Sequence, residues 1–130
     1  MSTYYLSTTL NDSFENAIEK TTAALAAEGF GILTEIDVAA TVKKKLGVDM
    51  PAYRILGACN PGFAYKALQA EKMIGTMLPC NVIVREDESG AIEVAAVDPI
   101  ESMQAIENER LASVAKEVRS LLRKVIARLG

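Results

Sequence analysis

The sequence predicts an α+β fold, a sheet covered by helices on one face, and three observations predict it. Runs that alternate apolar and polar residues, the mark of half-buried strands, take turns with runs of helical spacing. Late in the chain, Asp87-Glu88-Ser89-Gly90 separates two strand-like runs, and such hairpin chemistry belongs to antiparallel pairing. No glycine-rich phosphate loop follows the first strand, which counts against a doubly wound parallel fold.

Thr3 to Leu10 alternates, with Tyr4, Leu6, Thr8 and Leu10 on one face, and reads as a half-buried strand. Within it, Tyr4 is expected in the core and Tyr5 at the surface. Asp12 with Glu15 resembles a capping box that starts a helix, whose stripe is Phe14, Ile18, Thr21 and Leu25; Gly29 stops it. Phe30 to Ile36 is a second strand, with Phe30, Ile32 and Ile36 sharing a face. Asp37 then caps a short helix, Val38 to Leu46, which Gly47 ends. Pro51 to Ala58 is a third strand running into Cys59. Asn60-Pro61 opens a helix, since asparagine is a strong N-cap and proline is preferred at the first helical position. Phe63, Ala64, Ala67 and Leu68 form its apolar side. Leu78-Pro79 turns into a strand from Cys80 to Arg85; Ala91 to Val97 returns as the last strand, and Asp98-Pro99 breaks it.

Residues 1–99 therefore form the α+β core, and residues 100–130 a helical segment of the same domain. Leu111, Val114, Val118, Leu121, Val125 and Leu129 make a broad apolar stripe. Unbroken, that helix would be about 45 Å long at ~1.5 Å per residue. A compact chain of this size has a radius of gyration of only about 14 Å. The helix thus breaks near Glu107 or Asn108, or it reaches onto a partner.

Composition narrows the function. The 130 residues are 50% hydrophobic and 24% charged, enough for one domain with a real core. No apolar run approaches the ~18 residues that span a bilayer. Met1-Ser2-Thr3-Tyr4-Tyr5 carries no basic region followed by an apolar stretch, so no export signal is read there and the cytoplasm is expected. In that compartment the two cysteines read as free thiols. Histidine is absent, which removes serine–histidine and cysteine–histidine nucleophilic pairs and histidine-containing metal sites. Tryptophan is absent and aromatics are sparse, against a stacking platform for single-stranded nucleic acid.

The net charge of −3 hides an asymmetry. Residues 1–109 hold 8 basic against 16 acidic residues, a net of −8. Residues 110–130 hold 6 basic residues against Glu117 alone, a net of +5. A basic helix face packed on an acidic body accounts for this. An anchor for nucleic acid would bring phosphates against the acidic remainder, so nucleic acid is not expected as a partner.

Chemistry concentrates in Gly57-Ala58-Cys59-Asn60-Pro61 and Leu78-Pro79-Cys80-Asn81. These phrases, with Gly29-Phe30-Gly31-Ile32-Leu33-Thr34-Glu35-Ile36-Asp37, Lys43-Lys44-Lys45-Leu46-Gly47 and Tyr53-Arg54-Ile55-Leu56, resemble the uncharacterised family called domain of unknown function 302. The resemblance covers most of residues 10–99. It implies a TATA-binding-protein-like α+β fold with a curved antiparallel sheet, usually in a dimer, and it implies no activity. By that resemblance, many relatives carry a histidine one helical turn past the Cys-Asn-Pro phrase; Tyr65 stands here instead, which weakens a metal or general-base mechanism.

The residues themselves leave three readings of the two phrases. In the first, Cys59, Asn60, Pro61, Cys80 and Asn81 line or shape a ligand pocket, and the protein is a homodimeric binding or assembly module. In the second, Cys59 before a helix N-terminus is an activated nucleophile and Cys80 resolves it, giving thiol redox or sulfur-transfer chemistry. In the third, the two thiolates hold a metal with Glu35, Asp37, Asp98 or a second subunit; two sulfurs are half a typical zinc site, and neither metal nor cofactor is expected. Arg54, in an otherwise apolar strand, is expected to pair with Glu35 or Glu93, or to bind an acidic ligand.

Overall fold

The computed structural model describes residues 3–130; Met1 and Ser2, part of the stretch read for an export signal, lie outside them. Eleven elements follow in order: β1 (Tyr5–Leu10), α1 (Phe14–Ala27), β2 (Gly31–Asp37), α2 (Val38–Leu46), β3 (Tyr53–Cys59), α3 (Pro61–Ala70), a 3-10 helix (Lys72–Met77), β4 (Cys80–Glu86), β5 (Ile92–Val97), α4 (Pro99–Ser102) and α5 (Glu109–Leu129). The strands form one antiparallel sheet in the order β1-β5-β4-β3-β2. The α+β expectation holds, with the long helix at its end.

One face of the sheet carries the core. Leu56, Ala58, Val82, Val84, Ile92, Val94 and Ala96 meet Leu25 of α1 and Val118, Leu122 and Val125 of α5. Period-2 alternation sends the neighbours of these residues to the other face. Ile55, Ile83, Ala95 and Val97, with Tyr5 and Tyr53, lie there, partnered across the strands as Ile55–Ile83 and Ile83–Ala95. Tyr4 is not in the core: it lies exposed just before β1, edge-on to Tyr5 at 5.1 Å between ring centroids.

Helix boundaries follow their caps. Ser13, not Asp12, is the N-cap of α1 and accepts from the Asn16 amide at 3.1 Å. Asp12 stands one residue earlier, and hydrogen bonds from Lys20 and Asn16 hold its carboxyl down to about 2. Gly29, at φ +88°, turns the chain out of α1, a conformation glycine adopts without a Cβ penalty. Asp37 caps α2 through the Ala40 amide at 2.9 Å. Asn108 breaks the C-terminal helical run where expected: its Oδ1 accepts from Leu111 N, and its Nδ2 donates to Ala70 O at 2.7 Å.

β2 departs from its expected phase. Ile32 pairs with Ala58 but Thr34 pairs with Gly57, so Leu33 is an extra residue in the strand, a bulge. The bulge turns Ile36 opposite Ile55, on the face away from the helices, where it is 48% exposed. Phe30 and Ile32 stay with the core; Ile36 does not share their face. The same half-turn brings Glu35 and Asp37 to Arg54, whose Nη1 donates to Glu35 Oε2 at 3.0 Å; Asp37 lies 3.8 Å away and Glu15 3.6 Å. Arg54 therefore takes Glu35 of its two expected partners, and Glu93 pairs with Arg85 at 2.8 Å.

The basic segment is partly neutralised within the chain. Arg119 donates to the buried Asp98 and Arg128 to Glu28, each at 2.8 Å. Among the described residues no helix is long and apolar enough to cross a membrane.

Candidate functional site

A cavity of about 340 Å³ opens where β3 and β4 meet α3 and α5. Its floor is Ala58, Cys59 and Cys80 at the strand ends. One wall is the inner side of α3, Phe63, Ala64, Ala67 and Leu68, and another is α5, Val114, Ala115 and Val118. Gly75, Leu78 and Pro79 close one end, Pro99 and Met103 the base, with the buried Phe30 inside and the exposed Leu33 at the rim. The space exists because small residues face each other: Ala64 and Ala67 on α3 stand across from Ala115 on α5. A helix pair with larger side chains there would interdigitate and fill it.

The antiparallel register of β3 and β4 brings the two cysteine phrases together. Cys80 is the strand partner of Ala58, and Cys59 is the next residue along. Both are half-buried. Burial, and after it the neighbouring Cys59, together push the Cys80 thiol up to about 11.

Asn60 stands at the N-cap position of α3, but its side chain makes no capping bond. Its Nδ2 reaches the carbonyl of Glu28 at 3.4 Å instead, tying the start of α3 to the end of α1. A Cβ on Gly29 would come within 3.0 Å of that amide nitrogen. Pro61 supplies the first residue of α3 and is exposed outside the cavity wall. Asn81 points away, because it follows Cys80 by one residue on β4; it lines a shallow cleft on the open face with Tyr53, Ile83 and Arg85. Of the five residues drawn from the phrases, the cavity thus gathers Cys59, Asn60 and Cys80. Gly57, the strand partner of Asn81, is required as glycine: a Cβ there would lie 2.1 Å from Thr34 Oγ1 and 2.8 Å from Pro79 Cγ.

Glu35, Asp37 and Asp98 lie elsewhere, the first two on Arg54 and the third on Arg119. No cluster of three or more Cys, Asp or Glu side chains able to hold a metal ion occurs among the described residues. Tyr65 is exposed and takes no part in the cavity wall.

Sequence reasoning missed Leu33, Leu78, Met103 and Ala115 as lining residues. Ala115 carried a readable signal, an alanine on the apolar stripe of α5 where a bulkier residue would pack. Met103 lies in the irregular segment before Asn108, where no period points inward.

Comparison with known proteins agrees with the geometry. No curated protein matches the chain. A solved structure described as an uncharacterized conserved protein DUF302 from Bacillus stearothermophilus superposes with a TM-score of 0.92 at 23% identity. The match covers 99% of this chain and 100% of that one, and it establishes the shared fold. The family described as domain of unknown function DUF302 matches residues 6–129, through the end of α5 and well beyond the motifs that end near Pro99. With 124 of its 130 residues inside that match, the chain belongs to this family.

Proposed function

We propose that the protein is a cytoplasmic small-molecule-binding module whose site is the cavity beside the Cys-Asn-Pro turn, with Cys59, Asn60 and Cys80 at its polar edge. The observation that carries this reading is the cavity itself. About 340 Å³ falls within the usual ~300–1,000 Å³ of ligand sites, and the wall is apolar with a few convergent polar groups. Pro61 shapes the site from outside by opening α3, and Asn81 lies on the opposite face of β4. A thermal-shift screen tests the reading, run in parallel on the wild type and on Ala64→Leu, which fills the cavity. Compounds that raise the melting temperature of the wild type alone support it. A diverse screen in which no compound distinguishes the two proteins overturns it.

The protein acts as a homodimer in this reading, paired through the open face of the sheet. Ile55, Ile83, Ala95 and Val97 supply an apolar centre there, and the Arg85–Glu93 pair gives it charges of both signs, suited to a two-fold interface. Sedimentation equilibrium of the wild type and Ile83→Glu checks this: the wild type is dimeric and the variant monomeric with native circular dichroism. A wild type that stays monomeric into the millimolar range removes the dimer.

Thiol redox or sulfur transfer with Cys59 as nucleophile and Cys80 as resolver is not favoured. With the Cys80 thiol pushed up to about 11, roughly one molecule in 10⁴ carries the resolving thiolate at neutral pH. Both cysteines are read as free thiols that shape the cavity edge.

A further inference from the structure

The wall of the cavity selects the chemistry of what enters it. Among the described residues no Asp, Glu, Lys or Arg lines it; its polar side chains are Asn60 and the two cysteines. A buried charge without a partner is strongly disfavoured, and none of these groups offers a counter-ion. Cys80 in particular holds its proton well above neutrality. The entrance has the same character: Leu33 and Leu68 line the cavity yet remain 68% and 41% exposed, so the way in is apolar as well. Met103, flexible and polarisable, lets the base adjust to an occupant's shape.

Size sets a second limit. An apolar cavity of about 150 Å³ accommodates benzene, so one of about 340 Å³ takes roughly twice as many non-hydrogen atoms. We propose that the occupant is an uncharged, predominantly apolar molecule of roughly a dozen non-hydrogen atoms, with at most one neutral polar group facing Asn60. This rests on the cavity being the binding site, and the experiment separates the two claims.

The probes are 1-decanol, decanoate and decylammonium, which share one tail and differ in the charge of the head. Each is titrated calorimetrically at neutral pH, below the concentration at which it self-associates, into the wild type and Ala64→Leu. The expected result is that decanol binds at least tenfold more tightly than either ion, and that Ala64→Leu weakens decanol at least tenfold. If an ion binds as tightly as decanol and Ala64→Leu abolishes it, the cavity stands as the site and the uncharged ligand falls. If no probe binds, or if Ala64→Leu changes none of them, both fall. Leu68→Ser at the entrance provides the same comparison should Ala64→Leu fail to fold, with decanol weakened severalfold and the order of the three probes kept.

Discussion

Replacing Asp98 by alanine removes two bonds from one buried carboxylate. Asp98 is 3% exposed; its Oδ1 accepts from Ile100 N at 3.0 Å and its Oδ2 from Arg119 Nε at 2.8 Å. The first caps α4, and loss of such a cap costs about 1 kcal/mol. The second is charge-assisted, worth about 1.5–3 kcal/mol, and its loss leaves the half-buried Arg119 without its carboxylate. Together these place Asp98→Ala at about 3 kcal/mol. At ~2.1 cal/mol/K of unfolding entropy per residue, that lowers the melting temperature of this chain by about 11 °C. Urea unfolding followed by circular dichroism measures the free energy, and Asp98→Asn separates its parts. Asparagine still caps but carries no charge, so it should lose about half as much as alanine. Arg119→Met keeps an apolar stem without the guanidinium, and the cycle Asp98→Ala/Arg119→Met should show coupling of at least ~1 kcal/mol. A loss below ~1 kcal/mol for Asp98→Ala, or strictly additive single losses, would refute the reading of Asp98 as both the cap of α4 and the energetic partner of Arg119.

Three further perturbations follow from features already described. The hydroxyl of Thr21 is buried with no hydrogen-bond partner among the described residues, so Thr21→Val, which keeps the shape, should stabilise by about 1 kcal/mol in urea titration; a loss of stability would mean the hydroxyl is satisfied. Gly57→Ala forces a Cβ against Thr34 and Pro79 and should cost about 1–3 kcal/mol, whereas Gly57→Ala combined with Thr34→Gly should recover part of it; a neutral single variant would contradict the close approach. The folded state holds the Cys80 proton up to about 11 against an ordinary 9.0, so this group's contribution is complete below pH 9 and fades as pH rises toward 11. The loss by pH 11 is about 2 kcal/mol at ~1.4 kcal/mol per unit, read as the difference in pH dependence between wild type and Cys80→Ala. Parallel profiles would show the thiol to be solvated.

What the sequence disclosed, it disclosed through periodicity and punctuation. The end of α1 was legible because only glycine suits the backbone turn at residue 29, and the break before α5 because Glu107-Asn108 interrupts an apolar stripe. The start of α1 was read one residue early, since Asp12 and Ser13 are both competent caps and only the folded geometry chooses between them. The bulge at Leu33 left no trace: no glycine or proline marks it, and an extra leucine in a strand looks like any other. The candidate site was half legible. The two cysteine phrases located its floor, because residues at the ends of neighbouring strands meet once the register is set. Its walls come from α3 and α5, about 50 residues apart in the chain, and that distance appears in no local pattern. Alternation also explains Asn81, which stands beside Cys80 in sequence and on the opposite face in space.

The placement of β1 at the edge of the sheet, paired with β5 alone, has a consequence for how the molecule is made. Tyr5 to Leu10 pair with Val97 to Ile92, and Arg128 reaches back to Glu28. Of the five strands of this sheet β1 is made before the others, and it must therefore wait, unpaired, through nearly ninety residues of synthesis. Contacts this distant in sequence slow the search for the native arrangement. The seam closes only when Val118, Leu122 and Val125 arrive to roof it, so nascent chains halted before that helix would hold a greasy, unzipped sheet that invites chaperones.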